Sequence, residues 1–294
     1  MGLIHSRVRA FSTITPTEDR EPLPATGRAG RNLPAAFAVG IFLGAIVIGS
    51  VIVAKPVFLA LAIIADCIAL YELARAFKRA DVTLILPVAW VGTIGMGICA
   101  YTLGAEALLG AFVVTIIAIV LWRIGDGWNH RAFHDVFVSI FSLSYVSLLT
   151  CFAVLMLAQQ RNPAPLLIWV LTTISNDLGG YFTGIFFGKH PLAPKVSPSK
   201  SWEGFAGSAL MCMAVASISL SLAGYTWWIG LFIGVFTACA ATLGDLGESL
   251  IKRDVGLKDM GHLLPGHGGL MDRLDSLLVT APLFYLFFSK IMGW

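Results

Sequence analysis

Apolar blocks long enough to cross hydrocarbon recur from residue 36 to the C-terminus with only short polar gaps between them, and this pattern decides the solvent in which the chain folds. Read as helix-length runs they are 36–54, 56–74, 83–103, 105–122, 136–158, 165–188, 205–223, 225–243 and 277–292, nine candidate helices in all. The first has 19 residues, which at ~1.5 Å per residue reaches roughly 28 Å and matches a bilayer core. Backbone groups there find no water, so helices are the economical solution, and alternating strand-like segments are absent. Of the 294 residues 57% are hydrophobic and 13% charged, against about 25% charged in an ordinary soluble domain. A water-soluble globule is excluded. The formal charge of +3 is too mild to argue for nucleic acid.

The expected fold is therefore all-α, a polytopic membrane protein of about nine transmembrane helices. Charge sets its orientation: seventeen of the twenty Lys and Arg fall on one side, and only Lys55, Arg161 and Lys290 on the other. By the positive-inside rule the N-terminus is cytoplasmic. Residues 1–34 carry five Arg and four Pro and read as a flexible cytoplasmic leader, with residues 35–294 a single transmembrane catalytic domain. Cys67, Cys99, Cys151, Cys212 and Cys239 are scattered through apolar blocks, so they read as small core residues rather than disulfides or zinc ligands.

Two cytoplasmic connections are long, 188–204 and 244–276, and they hold nearly all the polar chemistry. If the eighth helix continues past the membrane, Asp245, Ser249 and Lys252 share one of its faces, and Asp272 and Asp275 share a face at the start of the last helix. Carboxylates from two helix ends suit Mg²⁺, which takes one or two acids and completes its shell with water and phosphate. Lys252, Arg253, Lys258 and Arg273 can neutralise phosphate oxygens. The glycines of Pro265-Gly266-His267-Gly268-Gly269 allow close backbone approach to an anion at the start of the last helix. A solvated positive-inside face explains the bases but not the acids: Asp245, Glu248, Asp254, Asp259, Asp272 and Asp275 are six of the chain's seventeen.

The run from Ser249 through Lys252-Arg253, Lys258-Asp259, Pro265-Gly266-His267-Gly268-Gly269 and Asp272-Arg273-Leu274-Asp275-Ser276 resembles the C-terminal signature of the phosphatidate cytidylyltransferases, also called CDP-diacylglycerol synthases. Gly244-Asp245-Leu246-Gly247-Glu248-Ser249, the block 197–204 and the block 177–181 resemble three further stretches of that family, so the likeness covers roughly residues 175–278. Ser199 and Ser201 stand where the family commonly has Lys and Thr, and Gly180 where it commonly has Ala.

The resemblance implies that CTP and phosphatidate give CDP-diacylglycerol and pyrophosphate with divalent metal, Mg²⁺ by the donor types above, in a site of more than one cation. It places metal on Asp245 and Asp272, with Asp275 beside them. Asp245, Asp272, Lys252, Arg253 and His267 form the expected catalytic set, His267 without an assigned role because an ionised lipid phosphate needs no strong base. The substrate-binding set adds Lys200, Ser201, Trp202, Glu203, Ser249, Lys258, Gly268, Gly269 and Arg273. Asp177 and Tyr181 join it as lining of the substrate cleft, since Asp177, flanked by Asn176 and by Gly179, Gly180 and Gly184, interrupts the sixth apolar run. Asp66 reads as structural or cavity-lining, and Glu72 as an interfacial partner of Arg75. The protein is then a multi-pass enzyme of a bacterial inner membrane with a cytoplasmic active site; a symmetric homodimer is ordinary for this class but no residue pattern demonstrates it. A secondary transporter would show two similar halves and midplane binding residues, whereas this chain has no internal repeat and carries its polar cluster in cytoplasmic loops; a CDP-alcohol phosphotransferase would need an Asp-Gly-x-x-Ala-Arg block, which is missing.

Overall fold

The computed structural model describes residues 33–127, 130–159, 162–257, 260–261 and 268–291. The expected leader lies almost entirely outside this set. The described helices are α1 (Leu33–Val53), α2 (Lys55–Lys78), α3 (Leu86–Thr102) and α4 (Ala105–Gly125). Next come α5 (Ala132–Ser142), a π-helical turn (Leu143–Leu148) and α6 (Leu149–Gln159), which run on as one rod. They are followed by α7 (Ala164–Phe187), α8 (Trp202–Leu222), α9 (Ile229–Asp254) and α10 (Met271–Leu286), the last ending in a second π-helical turn (Phe287–Ile291). Each apolar run expected from the sequence thus overlaps one helical segment, though the ends differ. Five are long and apolar enough to cross a membrane: α2, α4, the α5–α6 rod, α8 and α9.

Local chemistry sets several boundaries. Pro stands in the first turn of α2, α3 and α7, where its missing N–H costs no helical hydrogen bond. Ser201 caps α8 by accepting from Gly204 N at 3.1 Å. The 188–204 connection departs from the all-helical reading: β1 (Pro191–Ala193) and β2 (Ser197–Ser201) pair antiparallel as a small ribbon. Glu203 holds its base, accepting from Lys189 N and His190 N and meeting His190 Nδ1 at 2.5 Å.

Small residues let α7, α8 and α9 approach closely. A Cβ at Gly179 would stand 2.6 Å from the Gly207 carbonyl, and Gly230 and Gly234 of α9 lie directly on the backbone of Ser217 and Met213 in α8. The helix of the sixth run is continuous through Asp177, and Gly179, Gly180 and Gly184 face α8. A main apolar core fills the middle of the bundle. A second cluster, with Leu70, Leu73, Leu84, Val146, Met271 and Leu278, supports the end where α9 leaves and α10 begins. Asp66 is buried between α2 and α6, where Thr150 Oγ1 donates to it at 2.8 Å. Among the described residues all five cysteines are free.

Candidate active site

Helix α9 does continue past its apolar run, to Asp254, and this extra length carries the polar face anticipated from spacing. Ser249 Oγ donates to Asp245 Oδ1 at 3.3 Å, one turn away. Lys252 Nζ reaches back to Glu248 Oε2 at 2.6 Å and across to Asp272 Oδ1 of α10 at 2.8 Å, joining the two helices. Packing allows this crossing because position 244 is Gly: a Cβ there would lie 2.5 Å from the Asp275 carbonyl. Ser276 Oγ also donates to the Ala241 carbonyl at 3.2 Å, fixing the register of α10 on α9.

The carboxylates of Asp245, Glu248 and Asp275 each offer an oxygen within 4.8 Å of the others. Glu248 is 1% exposed, and its Oε1 is buried without a hydrogen-bond partner. Asp275 Oδ1 accepts from Ser276 N at 2.6 Å. Lys200 at the end of the ribbon meets Asp245 Oδ2 at 2.5 Å, and Arg253 Nε donates to the Val196 carbonyl at 3.3 Å, tying the ribbon to the end of α9. Asp177, exposed on α7, accepts from Asn176 Nδ2 at 3.1 Å and lies in the field of Asp245, Asp275, Lys200 and Arg273, so α7 runs beside the cluster.

Counted formally, Asp177, Asp245, Glu248, Asp272 and Asp275 face Lys200, Lys252 and Arg273. Among the described residues two negative charges are left without a formal counterpart. Partly buried acids are expensive unless neutralised, and an orphaned carboxylate oxygen beside two other acids is the donor set a hard divalent cation takes. The residues present therefore fit Mg²⁺.

Asp272 is placed differently from the trio. Its Oδ1 meets Lys252, while Oδ2 accepts from Gly269 N at 2.7 Å and Met260 N at 3.2 Å. Burial raises its pKa, but the Lys252 ammonium and these donors bring it net below the usual carboxylate value. Of the other expected site residues, Ser201 is the α8 cap, Glu203 pairs with His190, and Trp202 is 57% exposed with its edge on Phe205. Tyr181 is exposed one turn beyond Asp177. Gly268 adopts φ +82°, a backbone that favours glycine. Lys258 and His267 lie outside the described residues.

Three neighbours were absent from the expected site set. Glu248 was legible, being one turn from both Asp245 and Lys252. Tyr145, on the π-helical turn, donates to the Gly244 carbonyl at 3.3 Å among Asp245, Glu248 and Asp275, and no local pattern marks it. Glu72 lies in the field of Arg75, as expected, and in addition accepts from Leu270 N and Met271 N at the start of α10.

A helical bundle with five helices of membrane-spanning type among the described residues defines an all-α polytopic membrane protein. The sequence matches the Cytidylyltransferase family over residues 35–291. It is 37% identical over 282 residues to a protein of Mycobacterium leprae named phosphatidate cytidylyltransferase, the match covering 89% of each chain. A protein of the same name from Haemophilus influenzae is 32% identical over 236 residues, covering 74% of this chain and 72% of that one. This chain belongs to the cytidylyltransferase family, and so to the nucleotidyltransferases.

Proposed function

We propose that the protein transfers CMP from CTP to phosphatidate, giving CDP-diacylglycerol and pyrophosphate, at the cytoplasmic end of the bundle in a bacterial cell membrane. The names of its relatives support the substrates. The observation that carries the reading is the convergence of acids from α9 and α10 with Lys200, Lys252 and Arg273 at one end of an apolar bundle. A soluble triphosphate and a bilayer-held phosphomonoester can meet there without charge entering hydrocarbon.

Asp245, Glu248 and Asp275 would hold Mg²⁺, with Asp272 joined to them through Lys252 as a further acid of the cluster. Bound there, the cation supplies charge neutralisation to the phosphates. The chain's own groups do the positioning. Lys200, on the ribbon beside Asp245, binds the nucleotide phosphates, with the exposed Trp202 at the ribbon's end. Lys252 and Arg273 offset charge on the leaving pyrophosphate. Asp177 and Tyr181 on α7 line the lipid's approach. The lipid phosphate, already ionised near neutral pH, attacks the α-phosphorus in line as the bond to pyrophosphate breaks, so alignment supplies most of the rate.

The test is purified protein in detergent with phosphatidate, Mg²⁺ and labelled CTP. Lipid-linked CMP is the expected product, abolished in Asp245→Asn and in Asp272→Asn with the protein still folded. Unchanged turnover in both variants overturns the assignment of the acids, and no product from wild type overturns the reaction.

A further inference from the structure

Glu72 has no part in the chemistry proposed above, yet it is among the most firmly held acids in the molecule. It lies near the end of α2, 4% exposed, and both its oxygens are spent on the other end of the chain. Leu270 N donates to Oε1 at 3.0 Å and Met271 N to Oε2 at 2.9 Å, across about 198 residues of sequence. First-turn N–H groups have no partner inside their own helix, and a carboxylate there also meets the positive end of the helix dipole.

The opposite side of this contact is cut to fit. A Cβ at Gly269 would stand 2.5 Å from Glu72 Oε2 and 2.8 Å from Gly261 N, and one at Gly261 would collide with Oε1. The same short segment supports the acid cluster, because Gly269 N and Met260 N donate to Asp272 Oδ2 while Asp272 Oδ1 holds Lys252. Lys252 in turn holds Glu248. A strut therefore runs from α2 through the start of α10 to α9.

We infer that Glu72 is a positioning residue for the reaction: it fixes the first turn of α10, and with it the placement of Asp272 and Arg273 against α9. The activity arm of this inference rests on the nucleotidyl-transfer reading; its structural arm does not.

The experiment compares full-length wild type with Glu72→Gln, which keeps the shape but turns one acceptor into a donor facing an N–H. In Glu72→Gln, kcat for CMP transfer should fall and the half-activating Mg²⁺ concentration rise, each by about tenfold, the scale at which groups orienting a metal site act. KM for phosphatidate should stay unchanged, and peptides spanning residues 268–273 should exchange amide hydrogens faster. Gly269→Ala approaches the same contact from the other side and should give the same pattern, with the double variant little worse than either single one. If Glu72→Gln does not fold, Gly269→Ala and Glu72→Asp carry the comparison. Wild-type Mg²⁺ dependence with only a lowered melting temperature would make Glu72 merely structural and overturn the inference, as would wild-type exchange over 268–273. Should wild type itself make no lipid-linked CMP, the nucleotidyl-transfer reading fails, and the exchange measurement still decides whether Glu72 holds the start of α10.

Discussion

Lys200 and Lys252 both lean on carboxylates that a cation would also seek. Lys200→Ala should raise KM for CTP about tenfold while leaving the Mg²⁺ requirement intact; an unchanged KM would remove Lys200 from the nucleotide site. Glu248→Gln removes the buried acid whose second oxygen has no partner, and its half-activating Mg²⁺ concentration should rise by roughly 10–100-fold. Asp272 adds a pH signature. Its folded pKa lies below the ordinary 3.8, so its contribution to stability is complete above that value and is lost as pH falls through the depressed one. The difference in melting temperature between wild type and Asp272→Asn should therefore shrink from about pH 5 to about pH 3; a constant difference would mean that Asp272 is not held as an anion. Asp245, Ser249, Lys252, Asp272 and Asp275 were legible because helical spacing alone puts them on shared faces. The pairing of Lys200 with Asp245, and of Lys252 with Asp272, was not, since each partner sits on a different element.

At the scale of elements, the α7–α8–α9 layer is built on glycine contacts. Gly179→Ala would push a methyl into the Gly207 carbonyl and should destabilise the protein by about 1–3 kcal/mol. Gly110→Ala, in α4 with open space around it, should be neutral or slightly stabilising. Denaturation of both variants in detergent checks the contrast, and equal losses would refute the close packing. The apolar runs located the helices well but not their ends: the eighth run stops at residue 243 and α9 at Asp254. Hydropathy marks where hydrocarbon ends, whereas the helix ends only where its hydrogen bonds do. For the same reason the 188–204 connection gave no sign of its ribbon, whose short polar strands are held by Glu203 and Arg253 from neighbouring helices.

For the whole molecule, the expected orientation remains a prediction from charge. Introduced singly into a cysteine-free background, Lys78→Cys should be shielded in intact cells from a membrane-impermeant thiol reagent, and Lys55→Cys labelled. Labelling in the reverse sense would invert the topology and put the acid cluster on the wrong side for CTP. The two positions are the first and last residues of α2, one of five helices among the described residues able to cross a membrane, so the pair reads one crossing directly.

The sequence by itself determined that this chain is a bundle of helices in a bilayer, because a backbone without water must satisfy itself within each segment and only helix-length apolar runs are available. It also determined which residue types carry the chemistry, since acids, bases and glycines at fixed short spacings are properties of a single helix or loop. Which carboxylates meet was decided by tertiary structure alone. Glu248 joins Asp245 and Asp275, Asp272 turns to Lys252 and to backbone N–H groups, and Glu72 reaches the start of α10. Those contacts depend on how closely α2, α9 and α10 can approach, a distance set by Gly244, Gly261 and Gly269 in three dimensions and by no spacing along the chain.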